Sequence, residues 1–182
     1  MARQGRCRFP SPVSSSPVTA SMNILIAFAS LSGNTRDVAR AIRARCEDAG
    51  HTVAWLETGV QALASVAPDP HGFDLFLLGA WTDNAGRTPS EMKHFIAELV
   101  AARGKPPRVA VFGTGETQWG QEYYCGAVHR MAVFFDSPFP RLLIEQMPHG
   151  DRDARAIVEW TDQVLSLCKT DDPDADHYRH VA

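Results

Sequence analysis

Small polar residues crowd into one short stretch, "FASLSGNT", Phe28 to Thr35. Ser30, Ser32 and Thr35 offer hydroxyl donors, Asn34 an amide, and Gly33 a backbone able to close around an anion. Leu31 is the apolar member of the loop itself. The stretch follows an apolar run and opens a helical pattern, so unpaired N–H groups gather at the positive end of a helix dipole. Such a set can hold a phosphate dianion, or it can be an ordinary strand-to-helix turn with an N-cap. No lysine or arginine lies within it. A triphosphate-transferring loop would want G-x-x-x-x-G-K-[ST], and a phosphatase loop a cysteine nucleophile with an arginine; neither is present.

A second stretch, "GTGETQWGQEYYCGAVHRM" (Gly113–Met131), carries Thr114, Gly115 and Glu116 followed by Trp119, Tyr123 and Tyr124. Gly113-Thr114-Gly115 permits close backbone approach, but Gln118 stands where a dinucleotide G-x-G-x-x-G needs its last glycine. Aromatic groups beside a phosphate cradle point to a flat ring that stacks and is tethered by a phosphate. A third stretch, "GAWTDNAGRTP" from Gly79, adds Ala80, Trp81, Thr82, Asp83 and Asn84. His94 and His129 fall on helical patterns and read as surface residues, so no catalytic acid or base and no metal ligand is named.

The elements that must position these stretches alternate. Asn23–Ala29 is continuously apolar, as expected of a strand buried on both faces. Thr52–Glu57, Asp74–Ala80, Arg108–Gly113 and Arg141–Gln146 read as further strands. Between them helical spacing covers Thr35–Ala49 (Val38, Ala41, Ile42, Cys46 inward), Pro89–Ala102 with Thr88 as N-cap, and Tyr124–Phe135. Asp151–Cys168 closes the domain as an amphipathic helix through Ala154, Ile157, Val158, Thr161, Val164 and Leu165. Residues 58–73 hold room for one short helix. This alternation predicts an α/β fold, a doubly wound five-stranded parallel sheet of order 2-1-3-4-5, with its ligand crevice at the carboxyl ends of the strands.

With 182 residues, 45% hydrophobic and 21% charged, the chain suits one domain with a sizeable core. A net charge of −3 argues against a dedicated nucleic-acid or anionic-membrane binder. Cys7, Cys46, Cys125 and Cys168 are widely spaced, with no C-x-x-C, and read as reduced thiols. Residues 1–21 differ from the rest: three arginines, no acid, three prolines and five serines read as a disordered extension, or as a stretch upstream of an effective start at Met22. Without it, 15 basic residues face 21 acidic ones, a net −6. The domain runs over 22–169, and the polar tail 170–182 contains His177 and His180.

The three stretches together resemble the flavodoxin family over roughly Met22 to Cys168. The loop resembles the family's [T/S]-x-[T/S]-G-N-T, "YYCGAVHRM" its Tyr-Phe-Cys-Gly-Ala-Val-Asp segment, and "LLIEQMPHGDRDARAIVEW" the last strand and helix of the short-chain form. The resemblance implies a flavodoxin-like fold and flavin mononucleotide (FMN) as cofactor. It gives Ser30, Leu31, Ser32, Gly33, Asn34 and Thr35 to the phosphate, and Thr114, Gly115 and Glu116 to the ring edge. Trp119 or Tyr123 stacks, and the Cys125 backbone approaches the pyrimidine end beside Tyr124. The middle loop departs from the family's Thr-Trp-Gly: without a gap, Asp83 falls at the tryptophan and Asn84 at the glycine, leaving Trp81 two residues early.

The function implied is a monomeric cytoplasmic electron carrier, not an enzyme, working between a flavodoxin reductase and an acceptor enzyme. Two alternatives keep the fold and cofactor: an activator of a metalloenzyme such as class I ribonucleotide reductase, and an NAD(P)H-dependent FMN quinone reductase. A third is a flavin-free binding module.

Overall fold

The computed structural model describes residues 21–146 and 150–170. The readings of the N-terminal extension, of Cys7 and of the histidine-bearing tail lie outside those residues, apart from Ser21, whose hydroxyl donates to Gly50 O at 2.9 Å. Five parallel strands form one sheet in the order β2-β1-β3-β4-β5. They are β1 (Asn23–Ala29), β2 (Thr52–Glu57), β3 (Leu75–Trp81), β4 (Val109–Gly115) and β5 (Leu142–Glu145). The helices are α1 (Asn34–Asp48), a single turn α2 (Leu63–Val66), α3 (Ser90–Arg103), α4 (Gly126–Phe135) and α5 (Gly150–Thr170). The expected doubly wound topology is therefore the observed one.

Every β1 residue from Ile24 to Ala29 is fully buried, because β1 lies inside the sheet with a layer on each face. The strand's two-residue period divides those side chains between two cores. Leu25, Ala27 and Ala29 join Met92 and Phe95 of α3 and Met131 of α4. Ile24, Ile26 and Phe28 join Val38 and Ile42 of α1 and Trp160 and Val164 of α5. Gly79 makes room for the Phe112 ring on the neighbouring strand, since a Cβ there would fall 2.2 Å from it.

Strand register brings the chemistry-bearing loops to one edge. Ala29 pairs with Ala80 and Trp81 with Thr114, so the loops after β1, β3 and β4 emerge side by side. Three expectations need correction. Thr88 is not the α3 N-cap: the helix begins one residue later, at Ser90, so Pro89 takes that place with φ −58 and ψ 152 and, being proline, offers no side-chain cap. On α1 the inward alanine is Ala39, and Ala41 faces solvent. On α5, Ala154 and Val158 are exposed at the edge of the apolar stripe.

Candidate functional site

The loop after β1 is organised by its own side chains. Ser30 Oγ accepts from the amides of Gly33 (3.2 Å) and Arg36 (3.3 Å), and Asn34 Nδ2 donates to Ser32 Oγ at 3.1 Å. Gly33 caps α1 in the left-handed region, φ 98, a conformation that costs glycine nothing. The amides of Ser32, Asn34 and Thr35 meet no acceptor among the described residues, as expected of a helix's first turn. Arg36 is the first cation after the loop; its Nη1 lies 3.8 Å from where a Cβ on Gly33 would sit, but the guanidinium is already paired. Its guanidinium grips Glu57 at the end of β2 through Nε (3.0 Å) and Nη2 (2.5 Å). The loop thus presents amides and hydroxyls without a free cation beside them. Thr35 closes its base through a buried hydroxyl pair with Thr114 at 2.9 Å.

Next to this loop lies a cavity of about 440 Å³. Leu31 forms one side; Trp81, Thr82, Asp83, Asn84, Ala85 and Gly86 form another; Glu116, Trp119, Tyr123 and Gln146 complete it. The expected residues Leu31, Trp81–Asn84, Glu116, Trp119 and Tyr123 therefore meet at one cavity. Ala80, Thr114, Gly115 and Cys125 lie buried and do not line it. Tyr124 is half-buried against the core, and burial pushes its phenol up.

Each aromatic group is differently placed. Trp119 is 69% exposed, and its indole N–H donates to Glu116 Oε2 at 2.7 Å; Gln118 donates to the same oxygen. Tyr123 is half exposed. Trp81 is half-buried, packed on the core, with its indole N–H fixed to Glu91 Oε1 at 2.9 Å. Cys125 starts α4 with φ 48, and its thiol donates to Gly113 O and Ile144 O. Burial pushes that thiol up to about 12, so it packs and does not act as a nucleophile. A Cβ on Gly115 would sit 2.5 Å from Cys125 N, which explains the glycine by close backbone approach.

The loop after β3 differs most from its sequence reading. Asp83 and Arg87 form a one-pair antiparallel bridge, Asp83 N to Arg87 O at 2.9 Å and Arg87 N to Asp83 O at 3.1 Å. The left-handed residues are Ala85 (φ 55) and Gly86 (φ 71), and not Asn84. Gly86 O accepts from Arg130 Nε at 2.9 Å, and Gly126 lets α4 come so close that a Cβ would fall 2.6 Å from Gly86 Cα. Ala85, Gly86, Gln146 and Arg130 were missed as site residues. Gly86 alone carried a signal, as a glycine beside a cluster of turn formers.

The donor set fits a phosphate-tethered flavin. A cation-free cradle of amides and hydroxyls suits a phosphate dianion, and aromatic groups on two sides of the adjoining cavity suit a flat ring. Thr82 Oγ1, beside the cavity, is buried without a hydrogen-bond partner, as a polar atom awaiting a ligand would be. Among the described residues no cluster of three or more His, Cys, Asp or Glu could hold a metal ion, and no helix is long and apolar enough to cross a membrane.

Comparison with known proteins agrees with this geometry. The family model described as Flavodoxin matches residues 26–160. A flavodoxin of Nitratidesulfovibrio vulgaris is 32% identical over 108 residues, which is 58% of this chain and 70% of that protein. The probable flavodoxin 2 of Bacillus subtilis is 27% identical over 139 residues, 74% of this chain and 89% of its own. Oxidised flavodoxin 2 from Bacillus cereus superposes with a TM-score of 0.66 at 27% identity, covering 80% of this chain and 99% of that one. A short-chain flavodoxin associated with a bacterial microcompartment shares the fold at 0.69 and 18% identity, covering 81% of this chain and 99% of its own. The chain belongs to the flavodoxin family, whose cofactor is FMN.

Proposed function

We propose that this chain is an electron carrier that exchanges single electrons between redox partner proteins, with FMN held by the loops described above. The observation that carries the proposal is the pairing of a cation-free anion cradle with an aromatic-lined cavity at the carboxyl edge of the sheet. When bound, FMN supplies one-electron redox chemistry. Ser32, Asn34 and Thr35 offer their amides to the phosphate, and the exposed Ser32 hydroxyl stands beside them. Trp81, Trp119 and Tyr123 line the same cavity and would pack against the ring.

Charge around the cavity sets the direction of tuning. Asp83 and Glu116 line it and no lysine or arginine does; Arg87, in the same loop as Asp83, is drawn to that carboxylate (3.8 Å). A site without a spare positive charge disfavours added negative charge on its occupant and keeps its electrons strongly reducing. Within the loop after β3, the carbonyls of Asp83, Asn84 and Gly86 accept from Arg87 and Arg130, whereas Ala85 O accepts from none of the described residues. Thr82 O is likewise without a donor among the described residues, so Thr82 O and Ala85 O are the carbonyls that would receive a ring N–H.

The test is the visible spectrum of the FMN-loaded protein during stepwise anaerobic photoreduction. A carrier is expected to be yellow and to reduce in two resolved one-electron steps. Turnover of NADPH by the purified protein alone would contradict the carrier and favour a reductase. A colourless protein indifferent to added FMN would remove the proposal altogether.

A further inference from the structure

Away from the cofactor cavity, an open groove of about 610 Å³ runs between α3 and α4. Its floor is apolar: Ile96, Ala97, Val100 and Ala101 from α3, with Met131 and Phe134 from α4. Ala97 and Ala101 lie one helical turn apart and are both exposed, so the trough exists because small residues leave it unfilled. Phe134 is 42% exposed at its wall. The rim is basic. Lys93 and Arg130 line it, and Lys105 stands over the Phe134 ring at 4.3 Å while donating to Phe134 O at 2.6 Å. No carboxylate lines the groove.

We propose that this groove docks an acidic amphipathic helix from a partner protein. An apolar trough between two helices takes the apolar face of a third, and cations on its edges select flanking Glu or Asp. Charge complementarity favours that occupant over a second copy and over a bilayer. The residues from 22 onward carry a net −6, which opposes an anionic membrane, and a concave floor does not match a flat one.

Arg130 joins this groove to the cofactor cavity. Its guanidinium lines the groove and, through Nε, holds Gly86 O at 2.9 Å on the cavity wall. A carboxylate seated beside Arg130 competes for the same guanidinium and so reaches the Ala85–Gly86 turn. Docking at the groove is thereby felt at the cavity, whatever the cavity holds.

The experiment titrates the full chain, followed by backbone amide NMR, with three synthetic leucine-faced helical peptides of about five turns. They share an apolar face and differ in flanks of Glu, Lys or Ser. The Glu-flanked peptide is expected to saturate, to move the Ala97, Ala101 and Phe134 resonances and to shift Gly86. The Lys-flanked peptide is expected to bind at least about tenfold more weakly. Ala101→Glu, an exposed floor substitution, is expected to abolish binding, and Lys93→Glu to reverse the order of the Glu and Lys peptides. In Arg130→Met the Gly86 shift is expected to vanish while the α3 shifts remain. Equal binding of all three peptides, or none, would overturn the proposal. So would a dimer in sedimentation that Ala101→Glu dissolves, or recruitment to phosphatidylglycerol vesicles in preference to the peptide. None of these readouts requires FMN, so failure here and failure of the carrier reading are distinguishable.

Discussion

The loop Ser30–Thr35 is organised mainly by its own side chains, with one tie to β4, whereas the loop Thr82–Arg87, bridged internally by Asp83 and Arg87, is also held by α4. In the first, Ser30 caps two amides, Asn34 bonds Ser32, and Gly33 takes the single left-handed conformation at no cost. In the second, an alanine is left-handed, Arg130 from α4 holds a carbonyl, and Gly126 gives way to the backbone of Gly86. A self-contained loop can be specified by its own residues. A loop fixed by its neighbours depends on packing some forty residues away in sequence, and its conformation changes when those neighbours change.

The largest expected effect comes from disturbing the externally held loop at its contact. Gly126→Ala forces a Cβ against Gly86 and should destabilise the protein by about 3 kcal/mol, with loss of FMN binding. Urea unfolding and a flavin titration check it. The internally held loop should tolerate more: at Gly33 a Cβ meets only Arg36 Nη1 at 3.8 Å, so Gly33→Ala should cost the left-handed penalty of about 1–2 kcal/mol. If Gly33→Ala proved worse than Gly126→Ala, the contrast between the loops would be wrong.

The tie between the first loop and β4 is tested at Thr35 and Thr114. Removing one hydroxyl leaves the other buried and unpaired, so Thr35→Val or Thr114→Val alone should cost about 1–3 kcal/mol. The double variant should cost less than the sum, and additive costs in a double-mutant cycle would deny the pair. In the second loop, Ala85→Gly relieves a left-handed alanine and should stabilise by about 1 kcal/mol in chemical denaturation. Unchanged or lower stability would mean that the alanine is not strained.

How far each region could be read from sequence follows the same division. The limits of β1 and β2 match the sequence reading residue for residue; β1, buried on both faces, is written as a continuous apolar run, whereas edge strand β2 is only partly buried. The first loop and its lack of a lysine or arginine were legible because Ser30, Ser32, Gly33 and Asn34, which organise it, are neighbours in the chain; its tie to Thr114 was not. The second loop was not. The resemblance puts Asn84 at the family's glycine position, whereas the left-handed turn falls on Ala85 and Gly86, where the Asp83–Arg87 bridge and Arg130 fix its closing. Trp81 was legible as an aromatic site residue; its tether to Glu91 required α3 to be in place.

The smallest expected effect lies far from either loop. Burial, with Lys169 nearby, lowers the pKa of His51, whose Nδ1 accepts from Met22 N at 3.1 Å. A neutral folded-state histidine means that the unfolded chain binds more protons below the ordinary value of 6.5. The stability His51 contributes is therefore complete above that pH and is lost as pH falls from there toward its lowered folded-state pKa. Urea midpoints compared between about pH 8 and about pH 5.5 should fall in the wild type and fall less in His51→Gln.

The most direct measurement is the affinity of the protein for FMN beside riboflavin, which differ only by the phosphate. A cation-free cradle that holds the phosphate through amides and hydroxyls should favour FMN by at least about a hundredfold, a difference of about 2.7 kcal/mol. Equal affinity for the two would contradict a phosphate site at Ser30–Thr35.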